Sequence, residues 1–229
     1  MTTLFISDLH LDVERPRILD AFDRFIVEEA LRADALYILG DLFEAWIGDD
    51  SEDEAGRRFI DAMKPMREVR KPCFFIHGNR DFLLGDDYAR RAGMTLLPDP
   101  SVLVIEGVRT LLMHGDTLCT DDAIYQAFRA QSRTPAWQRT FLARPRSERE
   151  AFAQQARAES RRYTTDATNS GLMDVNQEAV RAALRTHDCV RMIHGHTHRP
   201  GVHRLASEPA GAERIVLGDW YEQASCLRL

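Results

Sequence analysis

The chain has 229 residues, of which 44% are apolar and 29% charged. That balance supports a buried core with room for an insertion and excludes a disordered or fibrous chain. A formal net charge of −6 excludes a globally basic protein, so no nucleic acid is expected as a partner.

The N-terminal stretch MTTLFISDLH has neither a basic lead nor a long apolar run. It is expected to form a first strand over Thr3–Ser7 rather than a signal peptide. Residues 16–31 place Ile18, Leu19, Phe22, Phe25, Ile26 and Ala30 at helical spacing. Ala35–Leu39 predicts a second strand stopping at Gly40, and 53–67 a second helix with Phe59, Ile60 and Met63 on one face. Cys73–Ile76 predicts a third strand, 86–92 another helix, and Thr95–Leu97 a short strand. Two strands at 102–105 and 109–113, joined by Glu106-Gly107, read as a hairpin, so the sheet is not purely parallel. After a long helical region come strands at Val190–Ile193 and Ile215–Leu217. Strands alternating with helices predict an α/β fold, with reactive groups gathered where the strands stop. No run of 18 apolar residues occurs, so no membrane span is expected. The four cysteines (Cys73, Cys119, Cys189, Cys226) form no CxxC pair, which argues against a zinc cluster or a disulfide frame and for a reducing, cytoplasmic setting.

Residues 121–170 differ in composition. Nine arginines (129, 133, 139, 144, 146, 149, 157, 161, 162) face six acids there. The segment therefore carries +3 and leaves the remainder of the chain at −9. Its bulky residues Tyr125, Phe128, Trp137, Phe141, Leu142 and Phe152 suit either a small helical core or an apolar groove flanked by arginines that face anionic lipid.

Five polar clusters end predicted strands or follow the hairpin: SDLH at 7–10, GDLFEAW at 40–46, HGNRD at 77–81, MHGD at 113–116 and HGHTH at 194–198. In Asp8-Leu9-His10 and His196-Thr197-His198, alternation along a strand end would put both side chains on one side. Carboxylate, amide and imidazole donors without cysteine suit manganese, iron or zinc in a hydrolytic centre. Two cations held close together need a bridging carboxylate and several terminal donors. Asp81 is expected to orient His114 or another ligand rather than bind directly.

The series DLH, GD, GNRD, HGD and GHTH, spanning residues 7 to 198, resembles the signature of the calcineurin-like metallophosphoesterases. More narrowly, YILGDLFEAWIGDD, FIHGNRDFLLG, MHGDTLCTDD, MDVNQ and IHGHTHRP resemble the UDP-2,3-diacylglucosamine diphosphatases of bacterial lipid A synthesis. The resemblance implies an αββα sandwich with mixed sheets. Residues 1–120 and 171–229 would form its core, and 121–170 an inserted helical cap over a lipid substrate. It implies two divalent cations, with manganese expected. Asp8, His10, Asp41 and His198 would hold one, and Asp41, Asn79, His114 and His196 the other. Asp41 would bridge them, and a water between them would attack the pyrophosphate of UDP-2,3-diacylglucosamine, releasing 2,3-diacylglucosamine 1-phosphate and UMP. Asp41, Asn79, Arg80 and His114 would then carry the reaction, while Asn79, Arg80, Asp122, Ser160, Thr164 and His196 would contact substrate. A peripheral monomer is implied, on the anionic cytoplasmic face of the inner membrane. Two departures matter. Most of the superfamily reads GNHD where this chain has GNRD, and arginine clamps phosphate rather than donating a proton. The family's lysine a few residues past Ser160 is replaced by Thr165-Asp166-Ala167. The rival expectations are a soluble nucleotide-sugar or dinucleotide pyrophosphatase, and an inactive fold used as a binding module.

Overall fold

A computed structural model of the chain describes residues 2–165, 174–205 and 211–229, with the backbone alone for 163–165. β1 (Thr3–Ile6), β2 (Ala35–Leu39), β3 (Cys73–Ile76) and β4 (Thr95–Leu97) lie parallel in the order β1-β2-β3-β4, and β10 (Leu227–Arg228) adds antiparallel to β1. A second sheet runs β5-β6-β7-β9-β8, from β5 (Ser101–Ile105), β6 (Val108–Leu112), β7 (Arg191–His194), β9 (Glu213–Val216) and β8 (Gly201–Arg204). Within it β6, β7 and β9 are parallel while β5 and β8 are antiparallel edges. The Glu106-Gly107 turn has φ of 52° and 78° at its two central residues, the left-handed pair that matches hairpin twist.

The side-chain period of two sorts the strands into layers. Phe5, Leu39 and Ile76 of the first sheet meet Leu112, Ile193 and Ile215 of the second between the sheets. On the outer face of the first sheet, Leu4, Ile6, Leu36, Ile38 and Phe75 pack under α1 (Pro16–Glu28), α2 (Glu54–Ala62), α3 (Lys64–Glu68) and α4 (Asp86–Ala92). Outside the second sheet, Leu111 and Met192 pack under α8 (Gln177–Thr186) through Val180 and Leu184. The architecture is therefore an αββα sandwich, as the resemblance implied.

Two differences from the sequence reading have local causes. The single helix expected over 53–67 is two, because Pro65 removes a backbone donor and starts a new first turn in α3. The strands β8 and β10 were not foreseen: they are short, and β8 is exposed at three of four positions, so neither shows a clear apolar alternation.

Residues 123–165 form three helices, α5 (Ala123–Ser132), α6 (Pro135–Leu142) and α7 (Arg146–Thr165). Asp122 caps α5 by accepting from Tyr125 N at 3.0 Å, and Thr134 caps α6 by accepting from Trp137 N at 3.3 Å. Phe141, only 2% exposed, joins the core outside the first sheet, with Trp137 and Phe152 packed against it. Arg149 is equally buried, with its guanidinium on the Ile47 carbonyl at 2.6 Å and on both Asp50 oxygens at 2.8 and 2.5 Å.

Candidate metal centre

The five polar clusters converge because each follows a strand of the parallel sets, and parallel strands end on one edge. Backbone hydrogen bonds lace the loops together: Asp8 N to Gly40 O at 3.1 Å, His10 N to Asp41 O at 3.0 Å, and Gly195 N to His114 O at 2.9 Å. Asp8, His10, Asp41, His196 and His198 all have positive φ, between 49° and 68°. Strand alternation is therefore not what aims these side chains, contrary to the expectation for DLH and HTH. Left-handed backbone turns them inward instead, at a cost of about 1–2 kcal/mol each that surrounding contacts must hold in place. Two glycines make room: a side chain at Gly78 would fall on Asp41, and one at Gly195 on Asp8 and Ser7.

All seven predicted donors come together. Ligand atoms of Asp8, His10 and His198 lie within 4.8 Å of one another, and so do those of Asp8, Asp41 and His114. Asp41 turns Oδ2 toward His10 Nε2 at 3.8 Å and Oδ1 toward His114 Nε2 at 3.6 Å. Asn79 Oδ1 stands 2.9 Å from His114 Nε2 and 3.0 Å from His196 Nδ1. The Nε2 atoms of His10 and His198 are 3.3 Å apart.

The far nitrogens of three histidines face acceptors, and that of His114 is hydrogen-bonded. His114 Nδ1 donates to the Leu39 carbonyl at 2.9 Å. His198 Nδ1 lies 3.4 Å from Asp219 Oδ2, and His10 Nδ1 lies 3.3 Å from Glu44 Oε2. Such acceptors fix the tautomer that leaves the inner nitrogen bare. Bare imidazole nitrogens facing one another and facing carboxylate and amide oxygens repel unless a proton or a metal cation sits among them. The donor set, hard oxygen and imidazole with no thiolate, therefore fits divalent metal ions.

The charges respond to this crowding. Burial raises the Asp8 carboxyl, but the His198 contact and the His114 and His10 rings outweigh it and hold it well below the usual carboxylate range. Burial lowers His114, yet the Asp41, Asp116 and Asp8 carboxylates push its pKa up to about 9. His196 falls to about 4, through burial and the neighbouring His114 charge. Asp81 is hydrogen-bonded to backbone rather than to a ligand side chain among the described residues. Its carboxylate accepts from Gly78 N at 2.8 Å and Leu42 N at 2.6 Å, tying the GNRD loop to the GDLF loop. It thus shapes the loops, and burial with the Asp41 charge pushes its pKa up to about 6.

Beside the donors opens a cavity of about 590 Å³ lined by Trp46, Phe82, Phe128, Trp137, Phe141 and Phe152, with Asn79, Arg80, Asp122, Tyr125 and Ser160 also on its wall. Arg80 donates its backbone N–H to Asp41 Oδ1 at 2.9 Å and directs Nη2 at Ser160 Oγ, 3.5 Å away. Asp122 reaches the wall while its Oδ1 caps α5. Thr164 lies in the last turn of α7, and its side chain falls outside the described residues.

The arginines at 121–170 do not all face outward, as a lipid-facing charge would require. Arg129 binds Asp116 at 2.8 Å, Arg133 donates to the Gly78 carbonyl at 2.8 Å, and Arg157 binds Glu44 at 3.0 Å. With Arg149 on Asp50, four of the nine neutralise acids or satisfy carbonyls of the body. Asp219 was missed by the sequence reading, and Tyr125 was read only as part of a helical core or apolar groove. Tyr125 donates its hydroxyl to Asp116 and stacks on His196 at 6.2 Å. Asp219 follows a glycine just past β9, the same glycine–aspartate signal that marks Asp41 after β2.

Comparison with known proteins agrees with this geometry. Residues 1–200 match the calcineurin-like phosphoesterase family. A Stenotrophomonas maltophilia protein described as UDP-2,3-diacylglucosamine hydrolase is 55% identical over 235 residues, covering 100% of this chain and 95% of that protein. An Escherichia coli protein of the same description is 52% identical over 229 residues, with the same coverage.

Proposed function

The chain belongs to the calcineurin-like phosphoesterases, and from that premise we propose that it hydrolyses the pyrophosphate bond of UDP-2,3-diacylglucosamine to 2,3-diacylglucosamine 1-phosphate and UMP. One observation carries the reading: a set of seven buried or half-buried donors adjoins an aromatic-walled cavity through Asn79, with Arg80 beside it on the wall. An inactive binding module would not need every donor intact, and a pyrophosphatase for soluble nucleotides would not need the aromatic wall.

Asp8, His10, Asp41 and His198 would hold one divalent cation and Asp41, Asn79, His114 and His196 the other; the donor types suit manganese, iron or zinc, and the family resemblance favours manganese. Bound there, two cations would supply an activated water at neutral pH and offset charge on the phosphoryl oxygens. The protein's own groups do the rest. Asp41 faces both halves of the centre. Leu39, Glu44 and Asp219 keep the histidine rings turned inward. Arg80 holds phosphate oxygens through its fork without offering a proton, which suits a nucleotide leaving group that departs at neutral pH. Residues 121–170 act as a cap: Phe128, Trp137, Phe141 and Phe152 take the acyl chains, and Asp122, Ser160 and Thr164 contact the head. Ile124, 77% exposed at the cavity rim, supports contact with the cytoplasmic face of the inner membrane by a peripheral monomer.

The test is release of UMP by the manganese-loaded protein from UDP-2,3-diacylglucosamine, compared with UDP-glucosamine and UDP-N-acetylglucosamine. Each buried methylene contributes about 0.8 kcal/mol, so loss of the acyl chains raises KM by several orders of magnitude. Equal KM for acylated and deacylated substrates would replace this reading with a soluble nucleotide-sugar pyrophosphatase.

A further inference from the structure

Glu44 stands between the long cap helix α7 and the metal centre. Its Oε1 accepts from Arg157, at 3.1 Å from Nε and 3.0 Å from Nη2. Its Oε2 lies 3.3 Å from His10 Nδ1, and neither of those two atoms has a hydrogen-bond partner among the described residues. The carboxylate is only 6% exposed, and its backbone N–H is fixed on the Leu11 carbonyl at 3.2 Å, next to His10. Among the described residues Arg157 reaches no other acid as closely, the next contact being Asp12 at 3.7 Å.

This places one buried carboxylate under two demands. A carboxylate on the outer nitrogen of a metal-binding imidazole orients the ring and raises the basicity of the inner nitrogen. A guanidinium on the other oxygen neutralises the buried charge, which would otherwise be costly. When α7 seats, Arg157 fixes Glu44 in the position that faces His10. Without Arg157, Glu44 would lose its counter-charge and its fixed position.

We propose that Glu44 is a positioning residue through which Arg157 on α7 sets the cation affinity of the His10 side of the centre. The inference rests on the metal reading above and adds to it that the cap is coupled to the ions as well as to the lipid. The rival is a plain fastening of α7 by an ion pair, which would affect stability and leave cation affinity alone.

The test uses the chelator-stripped full chain titrated with Mn²⁺ alone, with calorimetry for affinity and electron paramagnetic resonance for ligand environment. Glu44→Gln is expected to weaken one of two sites about 10–100-fold, the usual range for groups that orient a ligand. Arg157→Met should weaken the same site roughly 3–10-fold, less than the range for a direct orienting group because it acts through Glu44. Combined with Glu44→Gln it should add less than about twofold, since its effect runs through the same residue. Arg157→Lys keeps the charge and loses the fork, and it should fall between wild type and Arg157→Met. That variant carries the test if Arg157→Met does not hold its fold by circular dichroism. Arg157 variants with both affinities at the wild-type value, or effects that add fully to Glu44→Gln, overturn the coupling alone. A wild-type chain that takes up no Mn²⁺ overturns the metal reading, and the coupling falls with it.

Discussion

Asp41 offers its two oxygens to different histidines, His10 and His114, so its loss disturbs both halves of the centre together. Asp41→Ala is expected to lower Mn²⁺ content at both sites and reduce turnover by at least the roughly 10²–10³-fold that follows removal of one transition-state charge group. Retention of more than about a tenth of the rate would refute the bridging role. His114 makes a pH prediction. Burial lowers its pKa and three carboxylates raise it to about 9, so in the metal-free chain the ring holds a proton that a cation must displace. Manganese uptake should therefore release protons, and apparent affinity should rise with pH toward about 9. The same raised pKa means that protonated His114 stabilises the metal-free fold below 6.5, and that this contribution is lost as pH climbs through about 9. A chelator-treated chain whose melting temperature shows no such decline would contradict the charge arrangement around this ring.

At the scale of the loops, room matters as much as ligand identity. The GH turn after β7 brings Gly195 so near the Asp8 carboxylate and the Ser7 hydroxyl that a methyl group there must displace them. Asp8 also accepts from His196 N at 2.9 Å, so the displacement would open the contact between the first and last ligand loops. Gly195→Ala is expected to cost about 1–3 kcal/mol of stability as overpacking does and to lower Mn²⁺ affinity as well. Gly107→Ala is the control. Its φ of 78° is strained for alanine, yet nothing lies within 4 Å of the added carbon, so it should cost about 1–2 kcal/mol with cation affinity unchanged. Thermal melts and manganese titrations on the two variants separate contact from backbone strain.

At the scale of the whole molecule, four of the nine arginines behind the +3 of residues 121–170 are engaged within the protein. Arg129, Arg149 and Arg157 close ion pairs across to Asp116, Asp50 and Glu44, and Arg133 to the Gly78 carbonyl. These contacts fasten α5 and α7 to the loops that follow the first sheet and β6. Membrane attraction by arginine alone should accordingly be weak, since exposed charge is what anionic lipid senses. Binding to anionic vesicles is expected to depend more on the apolar rim than on salt. Ile124→Asp should reduce vesicle binding more than a rise from low to physiological ionic strength does. The opposite ranking would return the arginines to the membrane.

The motif residues, their order and their place at strand ends were readable from the chain, because hard donors on glycine-bounded turns stand out against apolar runs. The layered α/β fold was readable for the same reason: period-two and period-3.6 patterns are local. Strands β8 and β10 were hidden because short, exposed edge strands bury too little to leave a pattern. Tertiary structure alone decided the rest. Left-handed backbone at Asp8, His10, Asp41, His196 and His198 is held by contacts from other loops. The acceptors behind His10 and His198 come from Glu44 and Asp219, the latter 21 positions further along the chain. The partners of the insertion's arginines are acids many residues away, and a charge count cannot say which way a side chain turns. Local physics set what each segment can form, while the pairing of buried charges depended on which distant segment folding brought within about 3 Å.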